Sequence, residues 1–300
     1  MRSVAFIGAG RVGTALAVHL ARRRYPIVAI ASRSRDSADR FRARLAAEGQ
    51  APVIDTHAGA ARRASVVFIT TTDRAIAGVA ADLAAAGSLR EGQIVAHTSG
   101  ALSSEDVLQP ASACGAGILA FHPLQSFATA DRGVDLLPGC TIFLDGDPAG
   151  LEAGRELSAA LGTPCLVIPT ETKPLYHAAA CMASNYLVTL LSLSLDVLSR
   201  CGLPPSETLR ALLPLVRGTV ENVASVGIPA ALTGPVERGD SGILEGHLRA
   251  IAREVPGLEK VYRVLGAETV RLAAAKGCLT GRELSSMLGL FGVDNEHGVS

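Results

Sequence analysis

A glycine-rich turn near the amino end carries the clearest chemical signal in the sequence. The segment GAGRVG follows the apolar run Val4–Ile7 and opens an amphipathic stretch. Its first glycine permits a tight turn, its second lets a phosphate approach the backbone, and its third lets a helix pack closely on the strand. Unpaired N–H groups and the positive end of the helix dipole would then face a diphosphate. We therefore expect dinucleotide contacts from Gly8, Gly10, Arg11, Val12 and Gly13.

The end of the second strand indicates which dinucleotide would bind. An NAD site usually has a carboxylate there, which bonds the ribose 2′-hydroxyl. This sequence has Ser32 and Arg33 instead, and Asp36 falls at the start of the next helix. A planar guanidinium and neighbouring hydroxyls suit a 2′-phosphate. The pattern predicts NADP, although Arg33 on a solvated helix start remains the alternative.

Polar side chains follow three further apolar runs. Ligands of open α/β sheets bind beyond the carboxyl ends of the strands. We therefore expect Thr72 to line the cofactor cleft, His97 and Ser99 to lie near the nicotinamide ring, and His122 to contact the substrate. A histidine at a strand end is also a common structural hydrogen-bonder, so both roles stay open.

A lysine, a histidine and an asparagine begin the helical half of the chain. Pro174 suits a first helical position, which puts Lys173 at the cap and His177 in the first turn. The helix dipole there disfavours a charged imidazole. Asn185 would lie about 80° around the same helix, at roughly 100° per residue. Together Lys173, His177 and Asn185 could orient and protonate a carbonyl oxygen, or they form a capped helix with a core polar pair.

The segment TGPVERGD, which contains Arg238 and Asp240, is the second dense polar stretch. Arg238 could hold a substrate carboxylate, and Asp240 could cap the following helix. A structural Arg–Asp pair is the equal alternative. The seven histidines form no HxH or HxxxH pair, so no metal site is expected.

The elements that would position these residues change in type along the chain. Strand-like runs alternate with helix-like stretches in the first half, which predicts a doubly wound parallel sheet covered on both faces, and long helical stretches follow. We place a Rossmann domain at residues 1–169 and a helical substrate or dimerisation domain at 170–300. The expected strands are Val4–Ile7, Ile27–Ala31, Val66–Thr70, Ile94–His97, Ile118–His122, Thr141–Leu144 and Cys165–Ile168.

Composition excludes several classes of protein. The 300 residues are 48% hydrophobic, which argues against a disordered chain, and 28 basic residues balance 28 acidic ones, which argues against a general nucleic-acid binder. Six scattered cysteines and an N-terminus without a signal-peptide pattern favour a cytoplasmic protein. Residues 178–195 carry no charge, but Asn185 and several serines interrupt them, so a buried interface helix is expected there rather than a membrane span.

Several longer motifs resemble one family. FIGAGRVG, AHTSGALSS, LAFHPLQSF, KPLYHAAACMASNYL and LTGPVERGD are similar to the markers of Rossmann-like proteins with a C-terminal domain of unknown function 2520. The resemblance implies an NAD(P)-binding domain followed by a helical domain that often pairs subunits. That helical domain is similar to those of the 6-phosphogluconate dehydrogenase, pyrroline-5-carboxylate reductase and ketopantoate reductase group. The catalytic Lys-to-Asn spacing of the 3-hydroxyacid dehydrogenases is absent, because His177 stands four residues after Lys173.

These observations lead to one expected function with two alternatives. We expect an NADP-dependent oxidoreductase that moves hydride to or from a carbonyl or imine of a small anionic metabolite. It would act as a homodimer paired through the apolar stretch Leu187–Leu198, without nucleic-acid or membrane partners. The alternatives are a non-catalytic NADP-binding sensor or scaffold and a deazaflavin-linked NADP reductase.

Overall fold

The computed structural model describes residues 1–292, which form two compact units. The first unit ends at Asn185 and the second begins at Tyr186. The boundary predicted at 169/170 therefore lies 16 residues before the boundary in the structure. The segment that carries Lys173 and His177 belongs to the first unit. Residues 293–300, which the predicted second domain includes, lie outside the described residues.

An eight-stranded sheet organises the first unit. Its strand order is β3-β2-β1-β4-β5-β6-β7-β8. Successive strands are added on one side of β1 up to β3 and on the other side from β4 onward, as is typical of a doubly wound fold. This topology confirms the predicted fold class. The strands are β1 Val4–Ile7, β2 Ile27–Ala31, β3 Val53–Ile54, β4 Val66–Ile69, β5 Ile94–His97, β6 Gly117–Pro123, β7 Ile142–Gly146 and β8 Cys165–Val167.

Apolar side chains on both faces explain why these runs are central strands. All residues of β1 and β4 are buried, and two hydrophobic clusters cover the two faces of the sheet. Phe6 stacks on Phe68 with ring centroids 5.3 Å apart, and Phe121 meets Phe68 edge-on at 5.6 Å. Such aromatic pairs add to the stability gained from burial alone. The carboxyl ends of β1, β4, β5 and β6 are thereby held at one edge.

One strand pair departs from the sequence prediction. β7 runs antiparallel to β6, whereas the other pairs of the sheet are parallel. The intervening residues 124–140 were expected to form a loop, but they contain a helix at Ala130–Leu136. The helices of the first unit are α1 Arg11–Arg22, α2 Arg35–Ala46, α3 His57–Arg63, α4 Asp73–Ala85, α5 Ser104–Ser112, α6 Ala130–Leu136, α7 Pro148–Leu161 and α8 Lys173–Ala183.

Helices make up the regular structure described in the second unit. They are α9 Asn185–Ser199, α10 Pro205–Val226, α11 Ile228–Ala231, α12 Ser241–Glu254, α13 Glu259–Lys276 and α14 Gly281–Leu290. The sequence predicts two helices around Pro214, but α10 continues through it. It also predicts one helix from Leu175 to Ser199, which the structure divides at Ser184.

The uncharged stretch of α9 is not buried in the chain. No residue of α9 is classed as buried, and Val188 is 68% exposed. The helix is therefore not buried at an interface within this chain, and its burial at a dimer interface stays a prediction. By length and composition, the helical stretch Thr170–Ser199 is the one among the described residues that could cross a membrane.

Candidate functional site

A cleft of about 540 Å³ opens at the carboxyl edge of the sheet, around the glycine-rich turn. It extends from the end of β2 across β1 and β4 to the residue that follows β5. Its lining residues include seven of the ten predicted cofactor contacts, which are Gly8, Gly10, Arg11, Val12, Ser32, Arg33 and Thr72. Ser34, Thr70, Thr71, Asp73 and Thr98 also line it, whereas Gly13, His97 and Ser99 do not. The size and position of the cleft suit an extended dinucleotide.

The three glycines have distinct spatial roles. Gly8 has φ +112°, and a Cβ there would lie 2.6 Å from the carbonyl oxygen of Thr70, so a larger residue is excluded. A Cβ on Gly13 would collide with the Thr70 side chain and lie 3.0 Å from the Gly8 oxygen. A Cβ on Gly10 would have Thr70 O as its nearest protein neighbour at 3.5 Å. Gly8 and Gly13 thus allow close packing, whereas Gly10 keeps the cleft side of the turn open.

The first turn of α1 is available to an anion. Gly10 is the N-cap of α1, and a glycine offers no side-chain oxygen to its N–H groups. Those groups lie at the positive end of the helix dipole, which suits a phosphate. Arg11 donates to the carbonyl oxygen of Ala128 at 2.8 Å, which ties the loop after β6 to this turn. The turn therefore fits the diphosphate of a dinucleotide.

The end of β2 offers hydrogen-bond donors to the cleft. Arg33 is exposed, and the hydroxyl of Ser34 accepts a hydrogen bond from Ser37 N at 3.2 Å as the cap of α2. The Ser34 hydroxyl proton remains able to donate. The carboxylate among the lining residues is Asp73, which begins α4 rather than ending β2. The arrangement fits a 2′-phosphate. His57, at the start of α3, also lines the cleft and was not predicted from the sequence.

Lys173 is buried in a polar network rather than exposed to the cleft. Its ammonium lies 4.0 Å from the carboxylate of Asp145 and donates to the carbonyl oxygen of Ser99 at 3.3 Å. Asp145 also accepts from Ser104 N and Oγ at 3.0 Å and from Thr170 Oγ1 at 2.8 Å. Burial lowers the pKa of Lys173, and the charges of Asp145 and then Asp73 oppose that shift. The network favours a structural and electrostatic role for Lys173 over direct contact with substrate.

His97 and Ser99 are also buried. His97 is fully buried, and its Nδ1 accepts from Ser99 N at 3.1 Å. The Ser99 hydroxyl accepts from the N–H groups of Ala101 and Leu102. Burial, aided by the charge of Lys173, lowers the pKa of His97 to about 3. The expected position beside the nicotinamide ring is not supported, because both side chains shape the turn after β5 instead.

His122 and Tyr176 form a short hydrogen bond at the end of β6. The Nδ1 atom of His122 lies 2.6 Å from the Tyr176 hydroxyl oxygen. Burial lowers the pKa of His122 to about 4, assisted by the charges of Lys173 and His177. Burial also raises the pKa of Tyr176, which packs on the ring of Phe143 with centroids 4.5 Å apart. The pair therefore consists of a neutral imidazole and a neutral phenol at neutral pH.

His177 lies one residue further along α8. Its Nε2 is 3.6 Å from Cys181 Sγ, and its buried Nδ1 has no hydrogen-bond partner among the described residues. An imidazole with an open nitrogen can act as a proton donor or acceptor toward a bound molecule. Asn185 begins α9 after the break at Ser184 and is exposed. The angle expected between His177 and Asn185 assumed one continuous helix and therefore does not hold.

Arg238 and Asp240 lie in the second unit, in the turn before α12. Arg238 Nε donates to Asp240 Oδ2 at 3.0 Å, and both side chains are partly exposed. Asp240 occupies the N-cap of α12, but its side chain makes no capping hydrogen bond. The capping prediction is wrong because the carboxylate binds Arg238 instead, as the structural alternative expects.

Sequence reasoning missed Asp145 and Tyr176 as site residues. Asp145 stands in the apolar strand FLDG, and a charged residue in a buried strand is a signal that it has a partner. Tyr176 lies within the quoted segment KPLYHAAAC, next to His177. Its contact with His122 depends on how β6 and α8 meet, which the sequence pattern does not reveal.

Comparison with known families agrees with this fold. Residues 1–123 match the Rossmann-like domain, which defines the class of the first unit. Residues 140–269 match the domain of unknown function DUF2520. The two matched segments follow each other along the chain in the order that the resemblance implies. No curated protein matches it.

Solved structures share the architecture over most of the chain. The protein TM1727 from Thermotoga maritima is 28% identical, with 91% of this chain and 99% of that one covered and a TM-score of 0.72. The Bacteroides fragilis protein BF3122, assigned as an NADP oxidoreductase, is 22% identical, with coverages of 90% and 98% and a TM-score of 0.69. Pyrroline-5-carboxylate reductase from Coxiella burnetii is 14% identical, with both coverages 97% and a TM-score of 0.58.

Proposed function

We propose that the protein is an NADP-dependent oxidoreductase acting on a small molecule with a polar double bond. The proposal rests on one observation: the cleft and the two histidines lie close together in the first unit. A dinucleotide-sized cleft with Arg33 at one end approaches, through Thr98, the turn beside which His122 and His177 stand. The names of two structures with the same fold, an NADP oxidoreductase and a reductase, support this class of reaction.

The protein's own residues would divide the work of binding. The N–H groups at the start of α1 hold the diphosphate, and Gly10 leaves the space for it. Arg33 and the hydroxyls of Ser32 and Ser34 hold the 2′-phosphate. Thr72 and Thr98 line the cleft between that end and the turn after β5. These contacts position the reactive carbons, which supplies much of the rate advantage in such reactions.

A proton must accompany the hydride. When bound, NADPH would supply a hydride for the carbon of the double bond, which would leave NADP⁺. The oxygen or nitrogen of that bond then needs a proton, which His177 can deliver from Nδ1, a nitrogen that no protein group engages among the described residues. In the oxidative direction the same nitrogen takes the proton back. Lys173 contributes positive charge to the region without touching the reacting atoms.

A turnover screen tests this proposal. Purified protein is incubated with NADPH and a set of small aldehydes, ketones and imines, and NADPH oxidation is followed by absorbance. We expect turnover that falls by about 10²–10⁴ in His177→Ala, with the Kd for NADPH unchanged. If the protein is a sensor or scaffold, the wild type and His177→Ala should bind NADPH equally well, and neither should oxidise it. If NADPH is oxidised only when a deazaflavin is added, the protein is instead a deazaflavin-linked NADP reductase.

We also propose that a second copy of the chain covers the exposed apolar face of α9. Tyr186, Leu187 and Leu190 lie on one side of this helix and are 59%, 37% and 38% exposed, and Val188 is 68% exposed. Apolar groups of this extent commonly mark interfaces. Sedimentation should give a dimer for the wild type and a monomer for Val188→Glu. A monomeric wild type would refute the pairing and leave the proposed reaction untouched.

A further inference from the structure

The hydrophobic core of the second unit leaves out α9 and α10. Its buried apolar side chains, such as Leu244 and Met287, come from α12, α13 and α14 and from residues that flank them. Apart from Thr208, none of the α10 residues that the structure describes is buried. α10 also contains Pro214 and Gly218, two residue types that weaken a helix from within. Because such a helix depends on packing for its stability, α10 needs a surface that covers it.

α10 carries an apolar stripe along one side. At about 100° per residue, the leucines and valines of the stripe fall within about 100° of arc, while Arg210 and Glu221 lie on the other side. The stripe consists of Leu209, Leu212, Leu213, Val216, Val220 and Val223. Val220 is 56% exposed, and Leu209 and Val223 are each 38% exposed. The described element that packs most closely on α10 is α11, which directly follows it, so much of the stripe is uncovered within the described part of this chain.

An apolar groove runs between α9, α12 and α13 of the same unit. Its wider part encloses about 560 Å³, and its lining includes Val197, Ile251 and Leu265. It continues into a hollow of about 380 Å³ between α9 and α13, and Leu190 and Leu265 line both parts. None of the described α10 residues lines either part. Together the two parts form one long surface, the α9–α13 groove, that this chain's own α10 does not fill.

The polar groups of the wider part are already engaged within the chain. His247 Nδ1 and the Tyr262 hydroxyl oxygen lie 2.8 Å apart in a hydrogen bond. The hydroxyls of Ser194 and Thr269 donate to carbonyl oxygens one turn earlier on their own helices, at 2.8 and 2.7 Å. The groove therefore offers mainly apolar contact, which suits aliphatic side chains better than a polar ligand.

The stripe and the groove match in length as well as in chemistry. Along α9 the groove extends from Tyr186 to Leu198, which is about 18 Å at 1.5 Å per residue. The stripe extends from Leu209 to Val223, which is about 21 Å on the same basis. One helix of this length can therefore cover the groove from end to end.

We infer that α10 of one copy lies in the α9–α13 groove of a second copy, and that the second copy's α10 lies in the groove of the first. This inference rests on the pairing proposed above and names the helix that the partner contributes. Two-fold symmetry covers both surfaces at once, because each copy gives one stripe and receives one. A different protein or a small apolar molecule in the groove would leave the stripe of α10 exposed.

The extent of the two surfaces suits a stable dimer. A helix of 22 residues is about 33 Å long and about 10 Å wide. One helix face and one groove from each copy therefore approach the roughly 800 Å² that a stable interface buries on each partner.

Hydrogen exchange on the wild-type protein tests whether α10 is covered, and sedimentation of the same sample gives its oligomeric state. We expect a dimer in which the α10 amides are about as protected as those of α12, which packs in the core of the second unit. Fast exchange of α10 in a dimer would overturn the inference and leave the pairing standing. Protection of α10 in a monomer would also overturn it, because the chain itself would then cover the helix.

Two charge variants test the reciprocal packing. Val220→Glu places a carboxylate in the stripe of α10, and Leu265→Glu places one in the groove. Each unpaired charge should weaken the dimer at least about 100-fold and give a monomer that circular dichroism shows to be folded. Ser225→Glu, on the polar side of α10, is the control and should remain a dimer.

A mixture of the two monomeric variants gives the decisive result. The stripe of Leu265→Glu and the groove of Val220→Glu are both intact, so we expect the mixture to form a dimer. A dimeric Val220→Glu, or a mixture of folded variants that stays monomeric, would overturn the reciprocal packing. A monomeric wild type would refute the pairing as well, whereas NADPH binding and turnover test the proposed reaction separately.

Discussion

The ammonium of Lys173 and the carboxylate of Asp145 lie 4.0 Å apart with both side chains essentially excluded from solvent. They join the start of α8 to β7, the strand that runs antiparallel to β6. Tyr176 and His177 follow within one turn of α8. This buried pair therefore fixes the position of two site residues relative to the sheet edge, although neither partner faces the cleft.

Breaking this pair should destabilise the protein. Asp145→Asn leaves a buried ammonium without its counter-charge, which typically costs about 3–5 kcal/mol in free energy of unfolding. Urea denaturation at pH 7 measures the loss. Asp147→Asn is the control, because Asp147 accepts N–H groups of Gly150 and Ile118. The double variant Lys173→Met/Asp145→Asn should lose less than Asp145→Asn alone; an additive loss would show that the charges do not interact.

Acid should weaken the fold through His97. Burial chiefly, and then the charge of Lys173, lowers its pKa from 6.5 to about 3. The unfolded chain therefore binds a proton at a higher pH than the folded chain. Stability from this group is complete above about pH 6.5 and is lost as the pH falls through about 3.

The variant His97→Asn should reduce that pH dependence, because an asparagine side chain does not titrate. Its amide oxygen can still accept the hydrogen bond from Ser99 N. The measurement is the free energy of unfolding at pH 7.5 and at pH 4.5 in both proteins. His122, with a pKa of about 4, titrates in an overlapping range, so part of the dependence should remain. An unchanged difference between the two pH values would contradict the role of His97.

Two glycine substitutions should have opposite signatures. Gly10→Ala places a methyl group on the open side of the turn, so we expect NADPH binding to weaken by about 10- to 100-fold with little change in Tm. Gly13→Ala forces the methyl against Thr70, so we expect a fall in Tm. Thermal unfolding and fluorescence titration separate the two effects. A stable Gly13→Ala protein with normal NADPH affinity would contradict the packing argument.

The sequence predicts the fold well wherever local pattern and burial agree. The strand Val4–Ile7, the helix that follows Gly10 and the arginine after β2 all depend on short-range rules, and the structure has the elements where those rules predict them. The short strand Val53–Ile54 was missed because two residues carry no alternation to recognise. Helix Ala130–Leu136 was missed because glycine and polar residues interrupt its apolar pattern.

The candidate site was less predictable, because its contacts join distant parts of the chain. His122 and His177 were singled out by residue type and position, but Tyr176, whose hydroxyl contacts His122, was not. The direction of β7, which brings Asp145 beneath Lys173, follows from the path of residues 124–140 rather than from the strand's own sequence. The sequence places Lys173 at a helix cap, but its burial against Asp145 depends on the same path of the chain.

The most direct measurement is the affinity of the protein for NADPH and NADH, determined by titration of the wild type, Arg33→Ala and Arg35→Ala. The wild type should bind NADPH at least about tenfold more tightly than NADH. Arg33→Ala should lose about 10- to 100-fold in affinity for NADPH alone, the effect of one charge-assisted contact. The guanidinium of Arg35 pairs with Asp39 at 3.1 Å, so Arg35→Ala should bind both nucleotides like the wild type. Tighter binding of NADH, or no binding of either nucleotide, would contradict the account.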